Sequence, residues 1–126
     1  MSTDNRKRTR LYNGVTKEWQ GMNWIRQEKR LAIYVRDQHT CQYCGLHLED
    51  APAGTASLDH LVPASRNGTN HQTNLVTVCA GCNSKRGDKP LDEFLSSATK
   101  LRQVMEQAAK PINVAYAKEL LSAKRG

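Results

Sequence analysis

The sequence predicts an α+β fold, in which a small core of two short strands is flanked by helices and stapled by a four-cysteine metal site. Three observations carry this. Apolar residues recur at three- and four-residue spacing on both flanks, two strand-like runs lie between them, and two Cys-x-x-Cys pairs stand 34 residues apart around those runs. With 126 residues, 38% of them apolar, the chain supports one compact unit with a modest core. A bound metal would add folding free energy that such a core lacks.

Residues 1–22 are polar, carry the cluster Arg6-Lys7-Arg8-Thr9-Arg10, and are read as a flexible basic arm. Either a solvated leader or a phosphate-contacting arm fits that composition. Residues 23–97 form the predicted core domain. Asn23 is a candidate cap, and Trp24, Ile25, Leu31, Ala32 and Val35 fall at helical spacing, which predicts an amphipathic helix from Asn23 to Asp37. Cys41-Gln42-Tyr43-Cys44-Gly45 reads as a tight turn bearing two thiols. Ser57 to Val62 and Asn74 to Val78 read as strands joined by a turn-rich loop, Arg66-Asn67-Gly68-Thr69-Asn70. The second thiol pair then opens a short helix ended by Gly87. Helical spacing starts again at Leu91 and runs through Leu101, Val104, Met105 and Ala108. Pro111 breaks it before a last helix over Asn113 to Ala123. Residues 98–126 are thus a helical extension, whose apolar positions suit either core packing or docking of a protein partner or a second copy.

An excess of 19 Lys and Arg over 12 Asp and Glu gives a formal charge of +7, which points to a polyanionic partner, nucleic acid first. Apolar runs are only a few residues long, far below the roughly 20 that cross a bilayer, so no membrane span is expected. No apolar stretch follows the basic residues at the N-terminus, as a secretory signal would require. A cytoplasmic, reducing compartment is therefore expected, where paired cysteines hold metal more often than they form disulfides.

Each Cys-x-x-Cys knuckle can offer two thiolates to one side of a tetrahedral ion, so Cys41, Cys44, Cys79 and Cys82 predict a structural Zn2+ site with a closed shell. Two disulfides or a redox dithiol are the alternatives. His39, His47 and His71 could substitute as ligands, but four cysteines suffice. Between the knuckles lies Asp59-His60, and Asn83 follows the last cysteine. An Asp and an Asn oxygen suit a hard cation, and a neutral imidazole suits proton abstraction from water. Taken alone, an Asp-His dipeptide is more often a surface pair than a catalytic one, and an Asn after a zinc knuckle is commonly a turn residue.

The ordered set Cys41-x-x-Cys44, Leu58-Asp59-His60-Leu61-Val62-Pro63, Asn74-Leu75-Val76 and Cys79-x-x-Cys82-Asn83-Ser84-Lys85-Arg86-Gly87 resembles the HNH endonuclease family, in its zinc-bearing branch with a ββα-metal core. The resemblance covers about residues 31–95. It implies hydrolysis of DNA phosphodiester bonds, with His60 as the base that activates water and Asp59 as a ligand of a catalytic Mg2+ or Mn2+. Asn74 would hold the loop and the base in place. Asn83 stands where the family name has its last His, and would be the second metal ligand. Arg66, Lys85 and Arg86 are the candidate phosphate contacts. A non-catalytic zinc ribbon that binds nucleic acid fits the cysteines and the charge equally well but gives no reason for Asp59, His60 and Asn83; a third reading is a phage-packaging accessory whose C-terminal helices dock a larger partner.

Overall fold

The computed structural model describes residues 24–125. The expected basic arm, residues 1–22, and the Asn23 cap lie outside them. The fold class is α+β, with an antiparallel two-stranded sheet among helices. Strand β1 (Ala56–His60) pairs with β2 (Leu75–Cys79), so that Ala56 faces Cys79 and His60 faces Leu75.

All five residues of β2 are buried, because both faces of the sheet are covered. Leu75 packs with Leu58, Ile25 and Ile33 under helix α1 (Gln27–Arg36), whereas Val76 and Val78 meet Leu91, Leu95, Val104 and Ala108 on the other side. Paired residues share a face and successive residues alternate. Leu58 and His60 therefore belong to the α1 face, and Ser57 and Asp59 to the opposite one.

Helix α1 begins at Gln27, later than the spacing predicts. Arg26 is extended, with no side-chain cap, and the two residues before it pack elsewhere: Ile25 enters the core and Trp24 lies against His60. Tertiary burial of those two apolar side chains outweighs their helical periodicity. At the other end Arg36 and Asp37 are almost fully buried. Arg36 donates to both Asp37 oxygens and to the carbonyls of Gln72, Leu75 and Ala108. Asp37 also accepts from the Thr77 N–H and from Gln107. A buried charge survives only with such full pairing, and this one ties α1, β2 and the later helices together.

The β1–β2 loop contains two turns of 3-10 helix, Ala64–Arg66 and Gln72–Asn74. Gly68 allows its close return, since a Cβ there would collide with the Val62 carbonyl. Helix α2 (Ala80–Arg86) follows β2 without a linker and stops at Gly87, whose φ of 56° suits glycine. The helical spacing from Leu91 to Ala108 is split in two: α3 (Leu91–Phe94) ends at Leu95, and the Ser97 hydroxyl caps the start of α4 (Ala98–Ala108). Asn113 caps α5 (Val114–Arg125), which packs on α1. Of the apolar positions expected on these helices, Leu95 and Val104 are buried, Leu101 packs against the core, and Met105 is exposed. Each such burial is worth about 1.5–3 kcal/mol, so α4 is part of the core rather than an appendage to it. Among the described residues no helix is long and apolar enough to cross a membrane.

Candidate active site and metal centre

The first knuckle turns at Gly45, whose φ is 84°, and is closed by a bridge between Thr40 and His47. The second is the junction of β2 and α2, with Cys79 as the residue that caps the helix. Folding brings the Sγ atoms of Cys41, Cys44, Cys79 and Cys82 within 4.8 Å of one another. Backbone N–H groups of Cys44 and Cys82 point at the sulfurs of Cys41 and Cys79, at 3.5 and 3.4 Å. The Cys82 N–H pulls the Cys79 thiol down to about 7, while burial pushes Cys82 upward. Clustered thiolates repel unless a cation lies between them, so this donor set fits a metal ion, with Cys44 on the solvent side.

Asp59 and His60 end β1, pointing to opposite faces of the sheet. The Asp59 Oδ2 atom accepts from the Tyr43 hydroxyl at 2.6 Å and from Arg86 Nη1 at 2.7 Å. Oδ1 accepts no hydrogen bond among the described residues, and the carboxylate has lone pairs to spare. Burial, with the Asp59 carboxylate beside it, pushes the Tyr43 phenol well above its ordinary range, so Tyr43 serves as a donor.

Arg86, expected beside Lys85 at the phosphate, is instead wholly buried. Its guanidinium donates to Asp59, to the carbonyls of His60 and Leu61 at 2.5 and 2.9 Å, and to the Lys89 carbonyl. Every edge of the fork is committed inside the protein, so a phosphate cannot reach it. Lys85 and Arg66 are exposed. Arg66 borders a largely apolar groove of about 480 Å3 between the loop and α4.

Asn74 sits at the end of the loop. Its amide accepts from the Val62 N–H and donates to the carbonyls of Val62 and Thr69. Asn83, on α2, donates from Nδ2 to the Ser57 hydroxyl at 3.1 Å. Ser57 and Asp59 share a face of β1, so Asn83 and Asp59 approach one side of the strand, although no hydrogen bond joins them. On the other side, the His60 Nε2 atom lies 2.8 Å from Asn70 Oδ1, and the Trp24 ring lies 4.8 Å from the imidazole. Tyr43, Asn70 and Trp24 carry no sequence signal of a site. Only the position of Tyr43 inside a knuckle hints that it is held close by.

Residues 41–89 match the family described as HNH endonuclease. A stretch of 56 residues, 44% of this chain, is 38% identical to the CRISPR-associated endonuclease Cas9 of Corynebacterium diphtheriae. The match spans 5% of that much longer protein.

Proposed function

We propose that the chain is a metal-dependent endonuclease of the HNH family that hydrolyses phosphodiester bonds in DNA, a reading supported by the family match over residues 41–89. The observation that carries this reading is the end of β1, where an anchored carboxylate with one open oxygen and an imidazole occupy successive strand positions, one on each face. His60, as neutral imidazole, takes the proton from water as that water attacks phosphorus. Asp59 Oδ1 and Asn83 Oδ1 offer hard oxygens to Mg2+ or Mn2+. When bound, that ion offsets charge on the phosphate and on the leaving 3′ oxygen. Arg86 and Tyr43 orient the carboxylate by fixing Oδ2, and Asn74 sets the path of the loop. Lys85 and Arg66 contact phosphates, so DNA binding weakens steeply with salt.

Zn2+ is the ion proposed for the four cysteines. Soft thiolates favour it, and the 3.8 Å between Cys44 and Cys79 Sγ is about the edge of a tetrahedron whose Zn–S bonds are near 2.3 Å. Four thiolates leave no position for substrate, so this ion is structural. It holds α2, and through α2 Asn83 and Arg86, against β1.

The test is incubation of supercoiled plasmid with the protein across divalent cations. Nicked or linear product with Mg2+ or Mn2+, lost with EDTA and in a folded His60→Ala variant, supports the reading. Cleavage by His60→Ala at the wild-type rate would remove His60 as the base. Salt-sensitive DNA binding without cleavage in any cation would favour the zinc-ribbon binding module.

A further inference from the structure

Asn70 touches the one ring that the proposed chemistry depends on. Its Oδ1 lies 2.8 Å from His60 Nε2. The surroundings of the Asn70 amide fix which of its ends faces the imidazole. The Asn70 Nδ2 atom faces the Trp24 carbonyl at 3.3 Å. A carbonyl only accepts, so turning the amide over would set two oxygens against each other there. The oxygen therefore faces His60, and an oxygen without hydrogen requires that Nε2 carry the proton.

From this geometry we infer that Asn70 is the positioning residue of His60: it holds the imidazole with hydrogen on Nε2 and the basic lone pair on Nδ1, aimed away from the loop. The inference rests on His60 being the base. Asn70 is itself pinned at three points. Its side chain is held by Trp24, its carbonyl accepts from Lys29 Nζ at 2.6 Å, and the loop before it is tied back by Asn74 through Thr69. The Trp24 indole covers the imidazole at 4.8 Å with a 34° tilt, which limits rotation of the ring about its own axis. Position and tautomer of the ring are thus set from the start of α1 and from the loop, on the sheet face opposite the carboxylate. A base aimed about 1 Å wrong loses roughly a hundredfold in rate, so such a clamp has a consequence for turnover.

The experiment has two arms. Long-range 1H–15N correlation spectra of the intact protein at about pH 8.5, where an ordinary imidazole is neutral, read the tautomer of His60 without any cleavage. Hydrogen on Nε2 in a single, slowly exchanging state is expected. Hydrogen on Nδ1, or a mixture in fast exchange, overturns the inference. Asn70→Ala is expected to release the ring into exchange and to lower kcat for plasmid nicking about ten- to a hundredfold, with KM and melting temperature unchanged. Asn70→Asp keeps an acceptor for the Nε2–H but sets a carboxylate oxygen against the Trp24 carbonyl, and is expected to restore the Nε2–H tautomer with only part of the rate. An Asn70→Ala protein with the wild-type His60 spectrum and the wild-type kcat overturns the inference. Plasmid left uncut by the wild type, beside an unchanged clamp in the spectra, would tell against the nuclease reading instead.

Discussion

The Nη1 atom of Arg86 donates to Asp59 Oδ2 across 2.7 Å, from a side chain with no exposure to solvent. The pair spans α2 and the end of β1. All three nitrogens of this buried guanidinium donate, to one carboxylate, three carbonyls and the Tyr43 hydroxyl, and removing either charge strands the other.

Replacing Arg86 with Met is accordingly expected to cost about 3–5 kcal/mol of stability, read as a lower midpoint in urea unfolding. Lys85→Ala, at an exposed position on the same helix, is expected to leave the midpoint alone and to reduce the salt slope of DNA binding by about one. A loss under about 1 kcal/mol for Arg86→Met would contradict the buried role.

Tyr43 gives the pH prediction. Its phenol holds its proton in the folded chain well beyond the ordinary range, pushed up by burial and by Asp59. In the unfolded chain it titrates near pH ~10. The folded state therefore keeps a proton that the unfolded state loses. This contribution is full below about pH 10, and falls by up to about 1.4 kcal/mol per pH unit above it. Tyr43→Phe removes that alkaline loss. Unfolding free energies of the two proteins, followed from about pH 8 to 11, should converge as pH rises, and curves that stay parallel would refute the assignment.

Metal removal is expected to loosen the whole domain, because the four cysteines join the first knuckle to the junction of β2 and α2. Even about 2 kcal/mol lost on chelation shifts the melting temperature of a domain this size by roughly 10 °C. Added Zn2+ should restore it in the wild type and not in Cys79→Ser. Superimposable melts with and without chelator would mean that the thiols hold no structural ion.

Much of this was legible in the sequence, because spacing fixes it. The four cysteines, the strand and loop between them, and the helix that opens at Cys79 all follow from local pattern. Sequence pattern places Arg86 with Lys85 at the phosphate because nothing local marks a buried arginine. Apart from the Lys89 carbonyl, its partners are Asp59, Tyr43 and the carbonyls of His60 and Leu61, all far away in the chain, and they meet it only once β1 and α2 are packed. Arg36 and Asp37 stayed invisible for the same reason. Trp24 and Ile25 were drawn into a helix by their spacing, yet each is claimed by a tertiary contact. Asn70 sits in a loop where Asn67 and Asn74 are its near neighbours, and composition does not single out which of them reaches an imidazole.

Helix α2 is only seven residues long, yet its Cys82, Asn83 and Arg86 reach three partners: the thiol cluster, Ser57 and Asp59. An ion at the cysteines and one at Asp59 and Asn83 would share one ordering cost. Whichever binds first fixes the helix, and the second then meets ligands already in place. Linkage makes that benefit mutual and equal in free energy. In the proposed enzyme, the affinity for Mg2+ or Mn2+ would accordingly report on zinc occupancy at the cysteines, though no ligand is common to both ions.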